Sequence, residues 1–228
     1  MKCIIIGLGN FGSSLALKLT NLGNEVIAVD KEMTKINRIK DKVTHAICLD
    51  STDLNAVNSL PINMTDVAIV CIGKDTGANI MTTATLKNLN VKRLISRSIN
   101  SLHENVLQAI GINEIIRPEE ETASRWSNKI NYKNVIESFE LSKNFSIVEV
   151  VVPEFLVGKT IEELSFRNNF NLLILTIIKN RTERSLIGKY KTTSEAQGIP
   201  SPQTMLEKDD VIVTYGANSD IKKFIKSI

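Results

Sequence analysis

The sequence of 228 residues is poor in residues that bind metals or form redox centres. It has three cysteines and two histidines, and no two cysteines form a Cys-x-x-Cys pair. Cys3, Cys48 and Cys71 each lie in or beside a short apolar run, which favours buried free thiols. His45 and His103 have no metal-like neighbour in the sequence and are expected at the surface or at a helix cap. A metal or redox role is therefore the less favoured interpretation of these residues.

Long hydrophobic runs are also missing. No window approaches the roughly 18 to 20 consecutive apolar residues of a membrane span, and Met1-Lys2 leads directly into a short apolar run, unlike a signal peptide. We therefore expect a cytosolic protein. The hydrophobic fraction of 43% and the charged fraction of 23% are typical of globular proteins, and the length suits one large domain or two modest ones.

No part of the chain carries a strong excess of one charge. The formal net charge is +3, with 15 basic and 13 acidic residues in positions 1–130 and 13 basic and 12 acidic residues in positions 131–228. A protein that reads the phosphate backbone of a nucleic acid usually shows a clear basic excess. The charge distribution therefore predicts no nucleic-acid partner.

Short apolar runs alternate with helix-like segments in the first half of the chain. The runs are too short for buried helices, and the longest are continuously apolar, as in strands that helices cover on both faces. With right-handed crossovers, this alternation predicts an α/β fold with a Rossmann-like doubly wound parallel sheet and a ligand crevice at the carboxyl ends of its central strands. The predicted strands are 3–6, 26–29, 46–49, 67–72, 94–95 and 115–116, and the predicted helices are 13–22, 53–60, 78–89 and 102–110.

The most specific motif is the glycine-rich turn of residues 7–12, directly after the first predicted strand. Gly7 permits a tight turn, Gly9 lets a diphosphate approach the backbone, and Gly12 allows close packing of the following helix, whose free N–H groups face the phosphates. Asp30 ends the second strand, where a carboxylate accepts hydrogen bonds from a ribose diol and repels a 2′-phosphate. The pattern predicts binding of an adenine nucleotide.

Further polar residues follow the third, fourth and fifth predicted strands. Asp50 is placed to reach the adenosine side of the crevice, Gly73 and Asp75 border its other side, and Arg97 is a cation where phosphates should lie. Helix capping is an alternative explanation for Asp75 and for the segment Ser51-Thr52-Asp53. Arg97 is equally compatible with a solvated surface charge.

The sequence lacks the catalytic patterns of common nucleotide enzymes. It has no Tyr-x-x-x-Lys pair, no nucleophile elbow and no Gly-Lys-Ser/Thr after a glycine loop. We therefore expect the nucleotide to act as a signal and the protein not to be an enzyme. The alternative is a small NAD-dependent oxidoreductase whose substrate site is completed by dimerisation. A Rossmann-type transcriptional regulator is a weaker alternative, because no basic recognition helix is evident.

The second half of the chain has a different pattern, typical of a small α+β domain. A helical stretch follows Arg117-Pro118-Glu119 and extends to about residue 130. Beyond it we expect strands at 147–152, 172–178 and 211–215, a short helix capped by Thr160, a long loop at 188–204 and a closing helix at 219–225. The predicted domains are 1–130 (Rossmann-like), 131–142 (a linker or crossover) and 143–228 (small α+β).

The chain resembles the Trk/Ktr potassium-uptake regulatory subunits, which are built from RCK (TrkA-type) N- and C-domains. The resemblance covers essentially the whole chain and is carried by residues 3–12, Asp30, Asp50, Ile72-Gly73 and Arg117-Pro118-Glu119, in this order. It implies a cytoplasmic gating subunit that binds an adenine nucleotide and forms homodimers that assemble into an octameric ring. The ring would regulate a potassium-transporting membrane subunit at the inner face of the membrane.

The resemblance also implies roles for individual residues. Asn10 stands where close relatives often have arginine, which leaves ADP and NAD open beside ATP. Glu119 matches a carboxylate that in some relatives helps to hold a divalent cation such as Mg²⁺ or Ca²⁺ between subunits, although a first-turn helix charge explains it as well. The predicted nucleotide-binding residues are Gly7, Gly9, Asn10, Phe11, Gly12, Asp30, Lys31, Asp50, Ser51, Ile72, Gly73 and Arg97.

A second ligand is implied for the C-terminal domain. Several relatives bind cyclic di-AMP there, and residues 159–164 together with Arg167 loosely resemble the binding segment, although Glu162 stands where an apolar residue is expected. The alternative is that Ile161 and Leu164 belong to the core and that Arg167 is solvated.

Overall fold

The computed structural model describes residues 1–132, 134–184 and 190–227, without the side chains of residues 181–184 and 190–192. The chain forms two compact units, Met1–Glu121 and Thr122–Ile228. Within the described residues, no helix combines the length and the hydropathy needed to cross a membrane.

The first unit is built on a six-stranded parallel sheet. Its strands are β1 (Lys2–Ile6), β2 (Glu25–Asp30), β3 (His45–Cys48), β4 (Val67–Val70), β5 (Leu94–Arg97) and β6 (Glu114–Ile116). They pair in the order β3-β2-β1-β4-β5-β6. The order reverses between β1 and β4, and open α/β sheets bind ligands at the carboxyl ends of the strands at such a switch point. The predicted Rossmann-like sheet is confirmed.

Helices connect the strands of this sheet. They are α1 (Asn10–Asn21), α2 (Met33–Ile39), α3 (Leu54–Asn58), α4 (Thr76–Asn88), α5 (Ser101–Ala109) and α6 (Pro118–Asn131). Successive residues of β1 point to opposite faces: Cys3 and Ile5 pack in one buried cluster, and Ile4 and Ile6 pack in another. Burial on both faces explains the continuously apolar runs.

The second unit is a small antiparallel sheet with short helices. Its strands are β7 (Val135–Glu140), β8 (Phe145–Val151), β9 (Leu172–Arg184), β10 (Tyr190–Ala196) and β11 (Val211–Ala217), in the order β10-β9-β11-β8-β7. Its helices are α7 (Ile161–Leu164), α8 (Phe166–Phe170) and α9 (Asn218–Lys226). A core that includes Val150, Ile177, Ile212 and Phe224 joins the sheet to the helices. The predicted α+β C-terminal domain is confirmed.

Two segments of this unit differ from the sequence prediction. Residues 135–140, expected in a linker, form β7, which pairs with β8. The long loop predicted at 188–204 contains β10, which pairs with β9, and residues 188 and 189 of that prediction lie outside the described residues. β7 and β10 are the two edge strands of the sheet, and edge strands carry polar residues that mask a hydrophobic alternation.

The prediction for the cysteines is wrong at one position. Cys3 and Cys71 are buried free thiols, whereas Cys48 is exposed. Cys48 ends β3, which is an edge strand of the parallel sheet. An apolar run at a sheet edge is covered less completely than one at the centre, and this leaves the thiol accessible.

Candidate functional site

A cavity of about 690 Å³ opens at the carboxyl ends of the central parallel strands, next to the switch point between β1 and β4. All of the predicted nucleotide-binding residues except Gly12 line it, and so does Glu119. The predicted binding residues come from the ends of five different strands, so the fold brings together residues that are far apart in the sequence.

The glycine-rich turn is shaped by close backbone contacts. Gly7 has a φ of 96°, and its N–H group donates a hydrogen bond to the carbonyl of Val29 at 2.8 Å. A Cβ atom at Gly7 would lie 2.8 Å from the backbone nitrogen of Ile72, and a Cβ atom at Gly12 would overlap the carbonyl oxygen of Gly7. Both glycines are therefore required for the turn. Gly12 is not among the described residues that line the cavity and acts through its close contact with the carbonyl of Gly7.

The N-terminus of α1 faces the cavity at Gly9, the N-cap residue. Gly9 has no side chain to cap the helix, and a Cβ atom built there meets no atom within 4 Å. The adjacent residues Asn10 and Phe11 also line the cavity. Uncapped N–H groups and the helix dipole make such an end a binding site for anions, phosphates included.

Asp30 is a buried carboxylate held by three donors. Oδ2 accepts a hydrogen bond from the N–H group of Leu8 at 2.7 Å, and Oδ1 accepts one from Glu32 at 2.9 Å. The Nζ atom of Lys35 lies 3.2 Å from Oδ2 and also pairs with Glu32 at 2.7 Å. The sequence analysis missed Lys35, which lies on α2, a helix of only seven residues that was not predicted.

Asp50 and Ser51 line the side of the cavity that the sequence analysis predicts for the adenosine. Oδ1 of Asp50 accepts hydrogen bonds from the N–H group of Thr52 at 3.0 Å and from its hydroxyl at 2.7 Å. These two bonds lower the pKa of Asp50, which keeps it ionised. Ser51 is buried and accepts a hydrogen bond from Thr82 at 2.8 Å. The capping alternative applies to Asp53, which caps α3, and not to the two cavity residues.

Arg97 is a largely buried cation, not a solvated surface charge. Its side chain is 12% exposed, and its guanidinium forms a short ion pair with Glu119. Nη1 donates to the carbonyl of Cys71 at 3.4 Å, and the guanidinium carbon lies 5.9 Å from the ring centre of Phe11. Arg97 therefore lies beside Phe11 in the first turn of α1 and lines the same cavity as the uncapped N-terminus of this helix.

The predicted cation site at Glu119 receives no further ligands within one chain. Its carboxylate is engaged by Arg97, and within the part of the chain that the structure describes, no group of three His, Cys, Asp or Glu residues could hold a metal ion. A hard cation takes six or more oxygen ligands. The described residues of a single chain thus do not form this site.

Among the described residues, the ionisable groups that line the cavity are carboxylates, lysines, arginines and one cysteine thiol. Its described lining residues include neither histidine nor tyrosine. Burial raises the pKa of the Cys71 thiol, which does line the cavity, to about 12, so the thiol is protonated at neutral pH. His103, expected at the surface or at a cap, is instead buried, and its Nε2 atom lies 3.2 Å from Oδ1 of Asn79.

In the second unit, the segment predicted for cyclic di-AMP is divided between two shallow hollows. Thr160 and Glu163 form a capping box at the start of α7, and Leu164 belongs to the core. Arg167 is exposed and lies on a hollow of about 360 Å³ that includes the stacked rings of Phe145 and Tyr215. The core interpretation therefore holds: Leu164 belongs to the core, Ile161 packs against it, and Arg167 is exposed.

Comparison with protein families matches both halves of the chain. Residues 3–118 match the TrkA-N domain, and residues 146–228 match the TrkA-C domain. The chain is 33% identical to the Ktr system potassium uptake protein C of Bacillus subtilis, over 98% of this chain and 96% of the relative. It is 32% identical to the Ktr system potassium uptake protein A of the same organism, over 96% of this chain and 93% of the relative.

Solved structures share the fold. The GsuK channel has a TM-score of 0.65 and 19% identity, covering 98% of this chain and 38% of the channel chain. A structure of the GsuK channel bound to NAD has a TM-score of 0.62 and 18% identity, covering 96% of this chain and 38% of that chain. The NAD(P)-binding domain of an exopolyphosphatase-related protein from Archaeoglobus fulgidus has a TM-score of 0.51 and 25% identity, covering 57% of this chain and 96% of that domain.

Proposed function

The chain belongs to the TrkA-N/TrkA-C family of Trk and Ktr potassium uptake proteins, and we propose that it is a non-catalytic gating subunit whose crevice binds an adenine nucleotide. The observation that carries this proposal is the single cavity in which the glycine-rich turn, Asp30 and Arg97 meet. In this proposal the nucleotide state of the crevice controls a potassium-transporting membrane subunit.

The charges around the cavity match the parts of a nucleotide. Phosphates would bind between the uncapped N-terminus of α1 at Gly9 and the guanidinium of Arg97. The ribose diol would donate hydrogen bonds to Asp30, and the adenosine end would lie near Asp50. Asp30 disfavours a 2′-phosphate, so we expect NAD, ADP or ATP to bind better than NADP.

Arg97 provides a route from ligand binding to conformation. Its guanidinium now pairs with Glu119, the second residue of α6, and a phosphate beside Gly9 would compete with that carboxylate for the same donor. The ligand can shift a conformational equilibrium only by its difference in affinity for the two states. A complete switch from 1:99 to 99:1 takes about 5.5 kcal/mol, which a ring of several sites would share.

Calorimetric titration with ADP, ATP, NAD and NADP tests the proposal directly. We expect heat from at least one of the first three and weaker binding of NADP. Asp30→Asn should weaken binding about tenfold, since a charged hydrogen bond contributes roughly 1.5 to 3 kcal/mol. Asp53→Asn is the matched control, because it removes the same charge from a residue that caps α3 outside the cavity. No heat from any adenine nucleotide would overturn the proposal.

The proposed partners are a second copy of this chain, an octameric ring and a Trk- or Ktr-type membrane subunit at the cytoplasmic face of the membrane. Light scattering on the purified protein measures the oligomeric state with and without ADP, and we expect more than one chain per particle.

In cells that need imported potassium, the membrane subunit should support growth at low potassium only with this chain. Growth that is independent of the chain would contradict the gating role.

Cyclic di-AMP is a second candidate ligand, for the C-terminal unit. The exposed guanidinium of Arg167 beside the stacked rings of Phe145 and Tyr215 offers a cation and aromatic faces to a nucleotide. Titration with cyclic di-AMP on the parent and on Arg167→Ala tests this ligand separately from the crevice. Binding that Arg167→Ala leaves intact would place the ligand elsewhere.

Neither Cys71, which lines the cavity, nor His103, which is not among its described lining residues, supports the oxidoreductase alternative. Cys71 is protonated at neutral pH, and His103 is engaged by Asn79. Turnover of NADH by the purified protein, lost on Asp30→Ala, would favour the enzyme over the gating subunit.

A further inference from the structure

A buried polar network lies at the carboxyl ends of β4 and β5, and the function proposed above does not use it. Its centre is Asn79 on α4, whose side chain is fully buried. Thr83, Ser96 and His103 surround it and are buried as well. Burying this many polar groups is costly unless they hydrogen-bond one another, and a satisfied network of this kind holds the surrounding chain in one arrangement.

The amide nitrogen of Asn79 joins two chain segments. Nδ2 donates one hydrogen bond to the carbonyl of Ile72 at 2.9 Å and another to the carbonyl of Arg97 at 3.1 Å. The last registered pair between β4 and β5 is Val70 with Ser96, so both carbonyls lie just beyond the point where backbone pairing ends. The side chain of Asn79 therefore links the ends of β4 and β5 by hydrogen bonds just beyond their last backbone pair.

The two carbonyls determine the orientation of the Asn79 amide, because a carbonyl can only accept and therefore must face Nδ2. Oδ1 accepts hydrogen bonds from the hydroxyl of Ser96 at 3.1 Å, from Nε2 of His103 at 3.2 Å and from the hydroxyl of Thr83 at 3.4 Å. Nε2 of His103 must then carry the proton of a neutral imidazole. Burial lowers the pKa of His103, in agreement with this neutral form. The position thus requires an amide. An aspartate would place a carboxylate oxygen, which cannot donate a hydrogen bond, next to the two carbonyl oxygens that Nδ2 of Asn79 binds.

Both carbonyls held by Asn79 belong to residues on the phosphate side of the cavity. Arg97 supplies the guanidinium, and Ile72 leads into Gly73, while Asn79 itself is not among the described residues that line the cavity. If either segment moved, the guanidinium would shift relative to the N-terminus of α1, and a contact with a phosphate depends steeply on such distances.

We propose that Asn79 is the positioning residue of the nucleotide crevice, and that its two hydrogen bonds to main-chain carbonyls hold Arg97 and the segment before Gly73 where they can bind phosphate. This inference rests on the nucleotide binding proposed above. It predicts that removing the amide weakens nucleotide binding through Arg97, although Asn79 does not touch the ligand.

The test compares ADP affinity by calorimetry in the parent and in Asn79→Ala and Asn79→Asp, at a temperature at which circular dichroism shows each variant folded. We expect both variants to bind ADP about tenfold more weakly. The matched control is Thr65→Ala, which removes a fully buried hydroxyl bonded to the carbonyl of Pro61 at 2.8 Å, away from the cavity. The control should bind ADP within about twofold of the parent.

A double-mutant cycle separates positioning from general destabilisation. In the Arg97→Ala background, Asn79→Ala should cost less than about a further twofold in affinity, because the group that it positions is gone. An equal loss in both backgrounds, or parent-like affinity of the Asn79 variants, would overturn the inference. If the parent itself binds no adenine nucleotide, the proposed function fails and this inference fails with it.

Milder variants keep the test valid if the Asn79 variants do not fold. Thr83→Val and Ser96→Ala each remove one donor to Oδ1 and leave the amide in place. Combined, they should weaken ADP binding about two- to threefold by loosening the orientation of the amide. Unchanged affinity in the combined variant would count against the proposal.

Discussion

Arg97 and Asp30 are the charged residues whose surroundings depend most on the tertiary structure. Each stands at the end of a strand, where the sequence alone is compatible with an exposed charge. In the structure Asp30 is buried and accepts hydrogen bonds from two backbone N–H groups and from Lys35. Arg97 forms an ion pair with Glu119, and its guanidinium lies over the ring of Phe11. Both charges are thus held in place by neighbours before any ligand binds, which lowers the entropy lost on binding.

The three cysteines should differ in reactivity because they differ in exposure. Burial raises the pKa of Cys71 to about 12, and burial also raises the pKa of Cys3, whereas Cys48 is exposed. Since the thiolate is the reactive form, iodoacetamide at pH 8 should modify Cys48 in the folded protein and the other two thiols only in denaturant. Peptide mass mapping measures this order. Modification of Cys71 in the folded protein as fast as Cys48 would contradict the structure.

His103 should make stability depend on pH. Burial lowers its pKa in the folded protein, so the unfolded chain binds more protons once the pH falls below about 6.5. The free energy of unfolding should therefore decrease as the pH falls from 7.5 to 5.5, at most by about 1.4 kcal/mol per pH unit from this residue. Urea titrations across this range measure the slope.

Removal of His103 provides the control for this prediction. His45 is exposed and His103 is buried, and His103→Gln should flatten the pH dependence relative to a chain that keeps both histidines. A slope that survives in His103→Gln would show that another group titrates.

Helix termini show the clearest agreement between sequence and structure at the scale of elements. Thr160 caps α7 through a capping box with Glu163, and Asp75 caps α4. Caps are readable in a sequence because a side chain bonds to backbone only three residues away. The strands β7 and β10 were not predicted, because β10 is largely polar and β7 mixes apolar and polar residues without a regular alternation.

Thr160→Ala should destabilise the C-terminal unit. The substitution removes the side-chain acceptor of the capping box and should cost about 1 kcal/mol. The neighbouring Thr204 serves as a comparison, since its hydroxyl interacts with Ser201 in an exposed turn. Chemical denaturation should show a smaller effect for Thr204→Ala, and equal effects would argue against the cap.

The two units of the chain should respond separately to ligand. An adenine nucleotide that binds the crevice stabilises only the unit of residues 1–121, by about 2.7 kcal/mol at a concentration one hundred times its dissociation constant. Scanning calorimetry with ADP should shift the transition of this unit, and Thr160→Ala should shift that of the other. A nucleotide that raises the C-terminal transition alone would place its site in that unit.

Much of the molecule could be predicted because its signals are local. The central strands of the parallel sheet, the glycine turn and Asp30 follow from short-range patterns: apolar runs buried on both faces, a backbone that only glycine can adopt, and a carboxylate at a strand end. The two-domain order and the resemblance to potassium-uptake regulators followed from the same residues. These features depend on neighbours within a few positions of the chain.

The rest was decided by contacts between residues that are distant in the sequence. The hydrogen bond from Leu8 to Asp30, the ion pair of Arg97 with Glu119 and the network around Asn79 form only when separate strand ends meet at one edge of the sheet. Hydrogen bonds and ion pairs depend on distances of a few tenths of an ångström, and such distances are set by packing and topology. A linear pattern therefore identifies the crevice, whereas the folded chain determines which groups hold it together.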